Sequence, residues 1–293
     1  MRSTPQKVLA GCAAALFAAG IARGAGEDGF DATMELVSAR ATRYEKAALG
    51  FSCEETVILG KFSSSTGENK REQKSRYDYL YEGSSESGYR EIRMQPSKNG
   101  DPADAKQVDP GLDVPGAYDW ALLFSQQHRG HFRFEPAGSE LVGFHSAVII
   151  AFRGAKTFDH GREIHEWSGK AWVDSETGNF VKVEAEPNGQ EELLKLRTAE
   201  WRKSMRIVGV PVKKQPRGYR YRLTFSVDKF GLSFPGEAET RRFGLSLTGE
   251  EEMKERIAQR FRNYVFFNVH SEEDFAAAAP SPPPPAAPHA PGK

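Results

Sequence analysis

Residues 170–186 read KAWVDSETGNFVKVEAE, and their pattern decides the fold class. Lys170–Asp174 and Phe180–Glu186 place apolar and polar side chains in turn, the two-residue period of a strand. Between them, Ser175-Glu176-Thr177-Gly178-Asn179 is turn chemistry, with Gly178 set where the chain needs a positive φ. An antiparallel hairpin follows, and the same alternation continues outward in both directions.

Toward the C-terminus, Tyr219, Tyr221, Leu223, Phe225 and Val227 alternate with Arg220, Arg222, Thr224 and Ser226. Thr248 and Glu251 then spell a capping box, and Met253, Ile257 and Phe261 recur at helical spacing. The spacing predicts a helix there, before a last strand at Tyr264–Val269. Toward the N-terminus, Phe132 and Phe134 alternate with His131 and Arg133. Phe144, Val148, Ile150 and Phe152 share one face of a strand, with Ala147, Ile149 and Ala151 on the other. A strand apolar on both faces must be covered on both or face a cavity.

Tyr118–Gln127 differs from its surroundings. Tyr118, Trp120, Ala121, Leu122, Leu123 and Phe124 are apolar nearly all round, which predicts a short buried helix, with Asp119 in its first turn. Before it, residues 95–117 carry four prolines and no periodicity, a long loop. Strands are expected at Phe51–Leu59, Ser75–Glu82 and Gly88–Met94. A helix opens the domain, because Phe30, Met34, Val37, Ala41, Tyr44 and Ala48 recur at its period and Gly50 stops it.

The ends of the chain have other roles. Arg2 and Lys7 precede an apolar run from Val8 to Ala22, closed by Ala22-Arg23-Gly24, so residues 1–24 read as a secretory signal peptide. The run is about 15 residues, short of the roughly 20 that span a bilayer. Leu9-Ala10-Gly11-Cys12 also spells a lipoprotein-type cleavage box. Only Val8–Gly11 separate Cys12 from the charged segment, which favours ordinary cleavage over lipid anchoring at Cys12. Residues 276–293, rich in Ala and Pro, suit a disordered tail. Cleavage leaves Cys53 without an intramolecular partner. It shares one face with Phe51, Glu55, Val57 and Leu59, so it is read as a small apolar residue.

Lys plus Arg is 40 and Asp plus Glu is 40; without Arg2, Lys7 and Arg23 the mature balance is 37 against 40, or −3. Such neutrality argues against nucleic acid as a partner. Between Arg197 and Arg222 nine basic residues face only Glu200. Arg202, Arg206, Arg220 and Arg222 are therefore candidates for docking to an anionic membrane surface or an acidic protein, against a plain solvated sheet face.

Catalytic signals are sparse. His128 and His131, and His160 and His165 near Asp159, would need to converge to bind zinc. Asp101, Asp104, Asp109 and Asp113 lack calcium-loop spacing. G-x-S-x-G, H-E-x-x-H and a phosphate-cradling glycine loop are missing from the sequence. No metal, cofactor or enzyme activity is expected, though a histidine-based hydrolase would be signalled by two of His128, His131, His145, His160 and His165 meeting.

The N-terminal helix running into Gly50-Phe51-Ser52-Cys53-Glu54-Glu55-Thr56, the buried aromatic helix at mid-chain, and the hairpin from Gly169-Lys170-Ala171-Trp172-Val173-Asp174 through Thr177-Gly178 together resemble the periplasmic lipoprotein-carrier (LolA/LolB-like) superfamily. The resemblance spans most of residues 30–270. It implies a half-open barrel whose concave face, closed by helices, holds acyl chains. The chain departs from it in its greater length, its proline-bearing loop and its Pro-rich tail.

The expectation is a mainly β (α+β) domain over residues 25–275, an incomplete, roughly eleven-stranded antiparallel half-barrel with two to three helices. Its ligand would be a lipid or acylated protein, held by Trp120, Leu123, Phe124, Phe132, Phe134, Val148, Ile150 and Phe152. The same residues could instead fill one another's space as an ordinary core. A non-catalytic interaction module with a basic docking face is the alternative function.

Overall fold

A computed structural model describes residues 27–47, 50–63, 69–84, 88–96, 106–108, 116–126, 128–155, 166–205, 215–246 and 248–267. Residues 1–24, read above as a signal peptide, with Cys12, and Arg206, His160, His165, most of residues 95–117 and residues 276–293 lie outside the described residues.

Helix α1 (Glu27–Ala47) leads into β1 (Phe51–Phe62), β2 (Asn69–Ser84), β3 (Gly88–Gln95) and the short β4 (Lys106–Gln107). After a buried 3-10 segment at Tyr118–Leu122 come β5 (Phe132–Val142), β6 (His145–Ala155), β7 (Glu166–Asp174) and β8 (Phe180–Pro187). Helix α2 (Gln190–Met205) precedes β9 (Gly218–Lys229), β10 (Leu232–Leu245) and β11 (Glu251–Phe266). All eleven strands form one antiparallel sheet in the order β4-β3-β2-β1-β11-β10-β9-β8-β7-β6-β5. Its two edges, β4 and β5, do not pair, so the sheet stays open. No helix among the described residues is long and apolar enough to cross a membrane.

The helix expected around Thr248–Phe261 is strand β11. Positions 253, 257 and 261 are four apart, which satisfies a period of two as well as one of 3.6. Glu255, Ile257, Gln259 and Phe261 all point inward. The supposed capping box is a turn, in which Ser246 Oγ accepts from the backbone N–H groups of Thr248 and Glu250. Near its end β11 carries a bulge at Asn263, whose φ is 57°. This extra residue shifts the alternation, so Phe261 and Tyr264 both face the core.

Helix α2 was not evident, because only Leu194 and Thr198 along it are buried. Its signals are local: acidic Glu191 and Glu192 in the first turn, and Arg202 and Lys203 in the last. Phe144 is not on a strand face. It occupies the turn between β5 and β6 beside Gly143 (φ 62°) and is wholly exposed. Ile150 and Phe152 join the main core from one face of β6. Ala147 and Ile149 pack with Trp172 and Val181 on the other, so both faces are covered as expected.

Helix α1 lies across the inner face and is fixed by polar contacts at one end of the sheet. Tyr44 Oη donates to the carbonyl of Ser233 (2.5 Å) and accepts from its N–H (3.1 Å). Arg43 donates to Phe230 O and Arg40 to Gly231 O and Thr177 O, capping two hairpin turns. Tyr44→Phe should leave both backbone groups of Ser233 buried without partners, lowering stability by about 1–3 kcal/mol. A lower urea midpoint at unchanged slope would show it.

Candidate functional site

The inner face of the sheet is filled by the chain itself. Ala117–Ser125 are all buried, eight of the nine residues at 2% exposure or less and Asp119 at 8%. Leu122, Leu123, Phe124 and Ser125 are at 0%. The plug is built on a 3-10 segment, Tyr118–Leu122, which continues through Leu123 N–H to Trp120 O (3.4 Å) and Ser125 N–H to Leu122 O (3.0 Å). Such turns have poorer hydrogen-bond geometry than an α-helix, and packing holds the plug in place together with hydrogen bonds from Tyr118 Oη to Tyr44 O (2.8 Å) and from Tyr81 Oη to Asp119 (2.9 Å).

All eight ligand-cavity candidates meet around it. Trp120 stacks on Tyr221 (5.5 Å between ring centroids) and meets Trp167 edge-on (5.5 Å), with Phe152 at 5.9 Å. Phe124 stacks on Phe134 at 4.7 Å, and Phe132 lies 6.2 Å from both Phe134 and Phe152. Leu123 and Ile150 are fully buried in the same cluster, and Val148 packs against it. Sequence reasoning thus identified residues that touch, and in this structure they occupy one another's space.

A polar belt on the same inner face was not legible beforehand. Glu55 is fully buried, and Arg93 holds it bidentately at 2.6 and 3.1 Å. Gln259 Nε2 donates to Glu55 Oε1 at 2.7 Å. Arg93 also contacts Glu91 at 3.0 Å, and Tyr79 Oη donates to Glu91 at 2.8 Å. Tyr81 Oη donates to Asp119 at the start of the plug (2.9 Å). The alternation of β1 already put Glu55 among Cys53 and Val57. What no local pattern could supply was Arg93, 38 residues away. Beside this belt, burial and the Glu55 charge push the Cys53 thiol well up, so it behaves as the apolar residue expected.

The outer face is charged and self-neutralised. Lys170, Glu184, Arg222 and Glu239 stand opposite one another across β7, β8, β9 and β10. Arg222 meets Glu184 at 2.8 Å, and Arg241 and Arg256 both contact Glu239. Arg220 takes Glu251 bidentately at 2.6 and 2.7 Å and lies 3.5 Å from Glu186. Over these residues runs an open groove of about 450 Å³. Arg202 donates to Ser246 O. Three of the docking candidates that looked unopposed in sequence, Arg202, Arg220 and Arg222, therefore have acidic or carbonyl partners from neighbouring elements, and Arg206 lies outside the described residues.

Among the described residues the histidines do not assemble a site. His128 and His131 flank one 3-10 turn, whereas His145 pairs with Asp174 at 2.9 Å at the opposite end of the sheet. Among the described residues no three His, Cys, Asp or Glu side chains are arranged to hold a metal ion.

No family model and no curated protein matches the sequence. Solved structures that it resembles include a domain from Vibrio parahaemolyticus described as an outer membrane lipoprotein-sorting protein. That likeness has 11% identity and TM-score 0.45, covering 84% of this chain and 97% of that one. A LolA superfamily protein from Nitrosomonas europaea has 10% identity and TM-score 0.36, covering 83% and 96%. A DUF1329 family protein from Desulfovibrio piger has 10% identity and TM-score 0.40, covering 85% and 98%. All three likenesses are remote.

Two outcomes follow from this geometry. Arg93→Met strands the Glu55 carboxylate in the interior and should cost about 3–5 kcal/mol, read by denaturant unfolding. His128 is held neutral by burial, with His131 adding to the effect, so its pKa falls from 6.5 to about 4. The folded pKa lies below the unfolded one, so this contribution is full above about pH 6.5 and is lost as pH falls toward 4. Melting temperature should drop across that window, and His128→Gln should flatten the drop.

Proposed function

We propose that this chain binds an apolar, acyl-type ligand against the inner face of its open sheet and carries it within the cell envelope, without catalysis. The observation that supports this most is the plug. Beside helix α1, the apolar inner face between β2 and β5 is filled there by one 3-10 segment and the residues that flank it, in place of a strand of the sheet.

The magnitudes make an exchange of plug for ligand feasible. Withdrawing Tyr118, Trp120, Leu122, Leu123 and Phe124 from the interior would cost on the order of 8–15 kcal/mol at roughly 1.5–3 kcal/mol for each side chain. A sixteen-carbon chain taking their place gains on the order of 12 kcal/mol at about 0.8 kcal/mol per methylene. Near-balance between the two is what a carrier needs, since a cargo bound far more tightly than the plug could not be released. The Trp120, Leu123 and Phe124 side chains would then mark the space the acyl chain takes. Phe132, Phe134, Val148, Ile150 and Phe152 would form its wall.

The test separates a ligand site from an ordinary core by the sign of two effects. Titration with a fluorescent C16 fatty acid should show saturable uptake by the mature protein. Leu123→Ala/Phe124→Ala should lower stability by several kcal/mol and yet raise affinity for the probe about tenfold or more, because less self-packing must be displaced. Lost stability with no uptake by either protein would mean a filled core and no carrier.

A further inference from the structure

The β5–β6 hairpin ends in the most exposed large apolar residues among the described residues, Phe144 at 103% and Leu141 at 71%. Val142 pairs with His145, so Gly143 and Phe144 alone make the turn, and Gly143 supplies the positive φ (62°) that its first position needs. The turn is braced from the side. Ser175 N–H donates to Ser146 O (2.8 Å), and His145 Nδ1 lies 2.9 Å from Asp174 Oδ2. Asp174 Oδ1 accepts in turn from the N–H groups of Glu176 and Thr177. A side chain that projects fully from a braced turn packs against nothing in the fold, and polar residues are the usual choice there. A phenyl ring in that position points to a contact outside the chain.

Leu141 connects this tip to the inner face. Ser139 pairs with Val148 and Leu141 with Ser146, so Leu141 shares a face with Val148, Ile150 and Phe152. Ile150 and Phe152 belong to the main core, and Val148 packs against it. Apolar surface thus runs from the wall of the inner face to the hairpin tip, interrupted only by Ser139 and Ser146. The size and charge of the tip select its partner. One aromatic side chain offers about 150–250 Å², and adding a leucine leaves the tip far short of the roughly 800 Å² that each side gives to a stable protein interface. Two projecting side chains suit a surface that receives them without a matching pocket, the headgroup–acyl boundary of a bilayer. Around the tip, Glu140, Asp174 and Glu176 stand with Lys182 over the Trp172 ring, Arg40 on Thr177 O and His145 on Asp174. Three acids against two permanent cations leave no positive excess to seek anionic lipid.

We infer that the β5–β6 hairpin is the membrane-contact element of this chain, with Phe144 and Leu141 entering the surface of a zwitterionic bilayer. For its purpose the inference rests on the reading of the inner face as an acyl-ligand site: the ligand passes between bilayer and inner face along Leu141 and Val148 without crossing water. A contact this small is brief, because even a whole fourteen-carbon chain holds a protein to a bilayer only marginally and reversibly. Brief contact is what a carrier moving between surfaces requires.

Residues 25–293 carrying Phe144→Trp, mixed with vesicles of brominated phosphatidylcholine, test the contact. The added fluorescence should be quenched and blue-shifted, while the parent, whose Trp120, Trp167 and Trp172 are buried, should change little. Adding phosphatidylglycerol or salt should leave the quenching within twofold. A second measurement follows a fluorescent C16 fatty acid from the loaded protein to vesicles. Transfer should speed up in proportion to vesicle concentration, and Leu141→Ser/Phe144→Ser should slow it at least fivefold with ligand affinity and urea midpoint unchanged. No quenching, with a transfer rate that ignores both vesicle concentration and the double substitution, would overturn the membrane contact and leave the carrier reading standing. Quenching without any fatty-acid uptake would keep the contact and overturn the transfer along with the carrier. Neither quenching nor uptake would overturn both. A dimer that the double substitution dissolves on sedimentation would assign the tip to a second copy and overturn the lipid surface.

Discussion

A sheet that curves without closing leaves an apolar concave surface that something must cover, and the rest of this structure follows from how that is done. A closed barrel would pack its interior with side chains from its own strands. Here the edges β4 and β5 remain apart, and a single pass of chain from Ala117 to Ser125 fills the space between opposite walls. Tyr118 meets Tyr81 of β2 at 4.7 Å while Phe124 stacks on Phe134 of β5, so the plug bridges strands from the two sides of the sheet. Helix α1 closes one end over it, and Tyr118 Oη donates back to the Tyr44 carbonyl at 2.8 Å. Covering, filling and clamping are thus one connected arrangement.

The two faces of the sheet solve their electrostatics differently. Outside, acids and bases alternate across β7 to β10 in water, where each pair is worth little and the set as a whole keeps the surface polar and close to neutral. Inside, one ion pair is desolvated. Glu55 has no access to solvent, so its stability depends on Arg93 and Gln259 being in place. That dependence ties β1, β3 and β11 together at the middle of the sheet. It also confines the polar character of the interior to one belt, with the aromatic cluster to one side and Val57 and Ile257, packed with Leu59 and Tyr77, adjoining it.

Much of this was legible in the sequence, for identifiable reasons. Alternation over Lys170–Glu186 and Tyr219–Val227 reports strands with one face buried, and the all-round apolar run Tyr118–Phe124 reports burial whatever its helical type. The failures share a cause. Residues four apart, such as Ile257 and Phe261, fit two periods at once, and a bulge at Asn263 then brings Phe261 and Tyr264 to the same side as a helix would. Helix α2 hid because a helix that packs against Phe243 and Leu245 of β10 through Leu194 needs only Leu194 and Thr198 inside. The belt was half visible: the pattern put Glu55 on a buried face, but its partners come from distant strands, and charge counted along the chain could not show them. For the same reason Arg220 and Arg222 looked unopposed until Glu251, Glu186 and Glu184 were placed beside them.

The central claim is that the plug and the ligand compete for the same inner surface. Hydrogen–deuterium exchange of residues 25–293 with and without a saturating C16 fatty acid measures that competition most directly. The account predicts faster exchange across Ala117–Ser125 when ligand is bound, with the amides of β1, β9, β10 and β11 as protected as before or more so. Unchanged protection of Ala117–Ser125 at saturation would place the ligand elsewhere and contradict it.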